Sequence, residues 1–232
     1  MLVLPVVVGG VASGLRPWHA LLLVAWLSAY LAFHATGLWL RSRRKARYLR
    51  PVQVYGALTV ALGLAVVVGE PPVLRWAVVY LPLLATSLRF SWLRADRSLA
   101  NDLVTVLAAC LMTVVADSPD LTDPRAWWLA AVLVAYFAGT VLYVKTMIRE
   151  RGNAAMLRAS EAYHVAAVAV VGAVTLWAAR GVGSALVLAG LFALLAVRAV
   201  LVPRVWPGAT PKAVGLGEMV VCAALGAALL TG

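Results

Sequence analysis

The chain alternates between long apolar runs and short bunches of charge. Nine apolar segments are read, roughly 1–15, 18–40, 51–69, 72–90, 101–117, 125–146, 161–179, 182–202 and 213–231. Most have the length an α-helix needs to cross about 30 Å of hydrocarbon. The first is shorter and predicts a truncated or tilted helix. It starts at Met1 with no charged region before it, which predicts no cleaved signal. The runs are continuous in Leu, Val and Ala, and they lack the short alternating segments of a closed barrel. The pattern therefore predicts an all-α, polytopic integral membrane protein with about nine transmembrane helices, forming a single transmembrane helical domain over residues 1–232. Pro5, Pro51, Pro72, Pro124 and Pro211 fall at or near predicted helix starts, where a missing N–H costs little. Pro82 lies inside the fourth segment and predicts a kink.

Composition agrees: 64% of residues are hydrophobic, only 12% are charged, and the mean hydropathy is +0.94. That excludes an ordinary soluble domain. Cys110 and Cys222 sit inside apolar runs with no further Cys or His at metal spacing, so neither a disulfide framework nor a zinc site is expected. The net charge of +11 suggests nucleic acid until its distribution is read. The connections after segments 2, 4, 6 and 8, with their helix ends, hold six, three, four and three Lys or Arg, sixteen in all. The other side holds only Arg16, Arg75, Arg125 and Arg180. The positive-inside rule makes the first set cytoplasmic, with the N-terminus inside and the C-terminus outside. Five carboxylates on the inner side leave +11 there, and four on the outer side leave zero. The expected partners are the lipid bilayer and an anionic ligand entering from the cytoplasm, and not nucleic acid.

Four polar features carry the candidate chemistry. Arg41 to Arg50 places six cations in ten residues, read either as a topology anchor or as a diphosphate-binding rim, because guanidinium forks match phosphate oxygens. In Arg94 to Asp102, Asn101 and Asp102 stand where a helix begins, as caps or as ligand contacts. Tyr143 to His164 gathers Lys145, Arg149, Arg151 and Arg158 beside Glu150, Asn153, Glu161 and His164. Lys145 and Arg149 are four apart, a like-charge pair that an intervening anion would relieve. The alternative is a cytoplasmic loop with Gly152 as a C-cap and Ser160 as an N-cap. Glu218 falls about two turns into the last helix and requires a partner such as Lys212 or Arg198. His34 reads as a hydrogen-bonded core histidine.

Several stretches resemble the YwiC-like family of bacterial membrane proteins. They are Tyr48-Leu-Arg-Pro51 with Tyr55-Gly56, Ser98-Leu-Ala-Asn-Asp102, Gly139 through Asn153, Ala159-Ser-Glu-Ala-Tyr-His164, and Pro211-Lys-Ala-Val-Gly with Glu218. One departure is the start, Met1-Leu-Val-Leu-Pro5, where the family opens with a polar segment containing His and Trp. The resemblance places the chain in a bacterial inner (plasma) membrane, crossing it many times. More distantly, helix number, orientation and the two richest basic loops resemble the UbiA superfamily of intramembrane prenyltransferases.

That second resemblance implies a helical bundle around a cytoplasm-facing cavity, with Asn101, Arg149, Glu150, Asn153 and His164 near its mouth. It implies an enzyme of prenyltransferase or terpene cyclase type acting on an isoprenoid diphosphate or similar lipid-linked anion. Its reacting groups would be Asn101, Asp102, Glu150, Asn153, Glu161 and His164, with Glu150 and Asp102 as the carboxylates for Mg2+. Substrate would meet Lys45, Arg47, Arg50, Lys145, Arg149, Arg151, Arg158 and Tyr143. Residues 1–69 contain no Asp or Glu, so cations replace most of the magnesium charge in this reading. Trp39, Tyr48, Trp92, Tyr136, Tyr143 and Tyr163 are candidate walls for the hydrocarbon tail. The alternative is a non-enzymatic lipid- or isoprenoid-binding protein or an accessory subunit, which the loss of carboxylates favours.

Overall fold

A computed structural model of the chain describes residues 1–178 and 181–231. Arg180, one of the four cations read as outside, lies beyond the described residues. Among those residues the chain forms nine helices and no strand: α1 (Leu4–Ala12), α2 (Pro17–Arg41), α3 (Leu49–Gly69), α4 (Ala77–Trp92), α5 (Leu99–Asp117), α6 (Pro124–Val144), α7 (Ala154–Trp177), α8 (Val182–Val205) and α9 (Pro211–Thr231). Eight of them are long and apolar enough to span a bilayer. The exception is α1, nine residues and about 13 Å long at the usual helical rise.

Helix ends follow local chemistry. Pro17, Pro124 and Pro211 each stand first in their helices, as their fixed φ favours. Ser98 caps α5, its Oγ accepting from the Asn101 N–H at 3.3 Å. The cap is thus Ser98, one turn before Asn101 and Asp102. Asn153 caps α7, its side chain accepting from the N–H groups of Ala155 (3.0 Å) and Met156 (3.3 Å). Ser160, read as that cap, is instead buried inside α7. Gly152 does break the chain, at φ +83°, where a side chain would be strained.

The helices pack as two compact units, Met1–Ala126 and Trp127–Gly232. In the first, α5 is the buried element, with Val106, Cys110, Val114 and Val115 out of contact with the surroundings. It receives α1 closely: a Cβ on Gly9 would stand 2.2 Å from the Thr113 carbonyl oxygen, so only glycine fits. His19 ties the start of α2 to the end of α5. Its Nδ1 accepts from the Arg16 N–H at 2.9 Å, and its Nε2 donates to the Ala116 carbonyl at 2.9 Å. Tyr80 of α4 donates to the Ala108 carbonyl at 2.9 Å. The outer faces of α3 and α4 carry exposed Val60, Leu64, Val68 and Val78, a surface suited to lipid tails.

In the second unit α6 is the buried element, through Leu129, Leu133 and Tyr136. Tyr163 of α7 donates to the Ala135 carbonyl at 3.0 Å, and Trp128 donates to Thr175 at 3.3 Å. His164 lies against Gly139, where an added Cβ would come within 3.0 Å of its Nε2.

Candidate functional site

In the first unit the polar chemistry collects where α2 and α4 end. Arg41 donates to Asp96 at 2.7 Å, joining the end of α2 to the turn before α5. Three residues on, the Arg44 guanidinium stands 5.8 Å from the Trp39 ring and 5.9 Å from the Trp92 ring, so each helix end supplies one aromatic partner. The backbone here is strained. Arg43, Arg44 and Arg94 have φ values of 60°, 59° and 58°. This region is normally left to glycine, and it costs an ordinary residue about 1–2 kcal/mol. The strained turns close both helices, with the Arg44 N–H reaching the Trp39 carbonyl at 2.9 Å and the Ala95 N–H reaching Phe90 at 2.8 Å.

Of the substrate-binding candidates in this unit, Lys45, Arg47 and Arg50 are all exposed, and Arg47 stands 4.8 Å over the Tyr48 ring. Asn101 is buried and donates to the Asp96 carbonyl at 2.8 Å, while its Oδ1 has no partner. Asp102 is half-buried beside it in α5. A partly open apolar cavity of about 420 Å³ runs below these helix ends, among Trp26, Tyr30, Phe33, Leu84, Leu88 and Thr105. Thr36 also lines it, five residues before Arg41, so the cavity reaches within about 8 Å of the basic end along α2. Its aromatic walls, Trp26, Tyr30, Phe33 and Tyr80, were not among the sequence candidates. Hydrophobic aromatics inside apolar helices give no periodic signal that marks a cavity. His34 is exposed on α2, where it stacks on Tyr30 at 6.4 Å, and is not a core histidine.

In the second unit the basic stretch after α6 begins with a π-helical turn, Lys145–Arg149, closed by the Glu150 N–H reaching back to the Lys145 carbonyl at 2.7 Å. Lys145 is buried and Arg149 exposed, so the like-charge pair of the sequence is separated by environment. Arg151 donates from Nε and Nη2 to the Met147 carbonyl and from Nη2 to the Ala209 carbonyl, at 3.0, 2.7 and 2.9 Å. It thereby pins the α8–α9 connection to this turn. Tyr143 is buried in a cluster with Met147, Ala199, Ala209 and Val214.

The reacting groups expected here have local partners. Glu150 accepts from Asn153 at 3.0 Å. Glu161 pairs with Arg204. Buried His164 donates from Nδ1 to the Ser160 carbonyl at 2.7 Å. Arg158 is exposed. Among the described residues no three His, Cys, Asp or Glu side chains are grouped to hold a metal ion. Glu150 and Asp102 belong to different units.

The most heavily partnered polar group in the second unit was not in the expected site. Glu218 pairs with Arg198 of α8, as the sequence allowed. Its Oε2 also accepts from Thr140 at 2.9 Å, and its carbonyl accepts from the Tyr136 hydroxyl at 3.2 Å. The Arg198 guanidinium lies 4.0 Å over the Tyr143 ring, and its Nε and Nη2 are buried without partners. The available signal was positional: Arg198 stands seven residues inside the end of α8, and Glu218 is the eighth residue of α9. Counting Arg198 with the loop charges hid its depth.

These features define a polytopic helical membrane protein with its cations concentrated at one set of helix ends. The chain belongs to the YwiC-like family: the family model for YwiC-like protein matches residues 1–117, which span α1 to α5. It is similar to the uncharacterized protein YwiC of Bacillus subtilis (strain 168), 31% identical over 167 residues, covering 71% of this chain and 70% of that one. It is also similar to an uncharacterized protein of Haemophilus influenzae, 30% identical over 149 residues, covering 63% of each. No solved structure matches the chain.

Proposed function

We propose that this membrane protein binds a lipid-linked anion, with an isoprenoid diphosphate as the representative ligand, at the ends of α2 and α4. One observation carries the reading: within a single unit, an apolar cavity of about 420 Å³ lies just below a cationic, aromatic-flanked helix junction. That volume is within the range of about 300–1,000 Å³ typical of small-molecule sites. A hydrocarbon tail fits the apolar walls, and the head group meets Lys45, Arg47 and Arg50. By the positive-inside rule this junction faces the cytoplasm of a bacterial inner membrane. Maleimide labelling of Ser42→Cys and Ser184→Cys variants is then expected from opposite sides.

The enzymatic form of the proposal, a prenyltransferase or terpene cyclase, adds ionisation of the bound diphosphate ester. Within the first unit Asn101 and Asp102 are its reacting groups, and Asp102 is the carboxylate that would help hold Mg2+, which would offset the charge of the diphosphate. The accessory form stops at binding. The melting temperature of the purified protein, measured with prenyl diphosphates of increasing chain length, with and without magnesium, tests both. Stabilisation that grows with tail length supports binding. Stabilisation that needs magnesium, followed by loss of diphosphate from the ligand, supports the enzyme. No shift with any chain length overturns the proposal.

A further inference from the structure

We propose that Arg43, Arg44 and Arg94 form a phosphate-binding site at the joined ends of α2 and α4, a set separate from Lys45, Arg47 and Arg50. The site rests on the reading that this face takes an anionic head group, and it names the residues and the chemistry. The starting observation is conformational. All three arginines occupy left-handed backbone, two of them consecutively, at positions that terminate helices. Glycine is the unstrained choice there. A topology anchor does not account for this placement, because an arginine one residue earlier or later would satisfy the positive-inside rule without the strain. Strain retained at a defined point is expected where the side chain's position matters.

The second observation is geometric. Arg41 takes Asp96, leaving that carboxylate engaged. Among the described residues no ion pair involves Arg43, Arg44 or Arg94. The Arg44 guanidinium lies 5.8 Å from the Trp39 ring and 5.9 Å from the Trp92 ring, contacts that do not use its N–H donors. A guanidinium with its donors uncommitted, with Arg43 next to it in the chain and Arg94 two residues after the shared Trp92, suits the oxygens of a phosphate or diphosphate. The phosphate can belong to an anionic phospholipid or to the diphosphate of the lipid-linked ligand.

The test uses the full chain in phosphatidylcholine nanodiscs and reads the melting temperature. One arm titrates inorganic diphosphate. The other replaces part of the phosphatidylcholine with phosphatidylglycerol. A rise in the first arm identifies a diphosphate site, and a rise in the second alone identifies a phospholipid site. In whichever arm responds, the Arg44→Gly/Arg94→Gly variant is expected to weaken the apparent affinity by about tenfold to a hundredfold. Its ligand-free melting temperature is expected at or above that of the wild type, because glycine relieves the strain. A ligand-free temperature below the wild type, an unchanged response, or no response of the wild type in either arm overturns the site. If a prenyl diphosphate stabilises wild type and variant equally, the lipid-linked ligand stands and this site falls. If inorganic diphosphate binding needs Arg44 but a prenyl tail adds nothing, the site stands and the tail cavity falls.

Discussion

Several arginines at helix ends are held differently in the two units. In the second, Arg151, Arg198 and Arg204 are taken up by internal acceptors: two backbone carbonyls, Glu218 and Glu161. In the first, Arg43, Arg44, Arg47 and Arg50 are exposed, and two of them lean on aromatic rings. In the sequence both sets count equally toward the cytoplasmic charge. The difference is whether a polar acceptor lies within reach of the helix end. At the end of α2 Asp96 provides one, and Arg41 takes it. A cation that satisfies the fold is therefore a poor candidate for a ligand contact, and the candidate site shifts toward the first unit.

The largest expected effect separates the two kinds of arginine. Arg198→Ala strands Glu218, a side chain only 12% exposed, and should cost about 3–5 kcal/mol of stability. The Arg198→Met/Glu218→Leu double variant should recover most of that loss, because an apolar pair carries no desolvation penalty. Arg44→Ala should leave stability almost unchanged on the same denaturation curve. Equal losses at positions 44 and 198 would erase the distinction between the units.

Next in size are the glycines at close approaches. Gly9→Ala places a Cβ against the Thr113 backbone, and Gly139→Ala places one against His164 and Tyr163. Each should destabilise by about 1–3 kcal/mol. Gly56→Ala meets nothing within 4 Å and should be neutral or stabilise by up to about 1 kcal/mol. Thermal denaturation of the three single variants ranks them directly.

A smaller effect is expected at the partly exposed pair of the second unit. The Arg204 side chain is 50% exposed, so Arg204→Ala should cost no more than about 1 kcal/mol, and added salt should shrink even that. A loss as large as that of Arg198→Ala would mean that depth in the helix does not control these pairs.

The smallest is a pH effect at the opposite helix ends. Hydrogen bonds from Ser118 and Thr122 hold the Asp120 carboxyl below the usual carboxylate range. Its contribution is therefore present above the ordinary carboxylate pKa and is lost as pH falls through the depressed value. Asp120→Asn should lower the melting temperature slightly at neutral pH, and the difference from wild type should vanish as pH falls through the depressed value.

Apolar run length made the helices legible in the sequence, and the prolines at positions 124 and 211 marked two of their starts. The pairing of Glu218 with Arg198 was also open to reading, since both stand well inside apolar helices. Other features depended on backbone geometry that residue type does not encode. Arginine is not a residue that suggests a left-handed helix end, so the turns at Arg43, Arg44 and Arg94 gave no signal. Ser98 and Asn153 gave a weaker signal as caps because Asn101 and Ser160 stand right at the starts of the apolar runs, whereas both helices begin before those runs do. The apolar cavity arises from tertiary placement of α2, α4 and α5, and no linear pattern marks its walls.

The most direct measurement is photolabelling with a prenyl diphosphate that carries a photoreactive group at the tail end, followed by mapping of the modified residues. Labelling along the cavity walls, at Phe33, Leu84 or Thr105 and their neighbours, is expected. Excess unlabelled ligand should compete it away, and Arg44→Gly should diminish it. Label confined to α7, α8 and α9, or label indifferent to competitor, would contradict binding of a lipid-linked anion by the first unit.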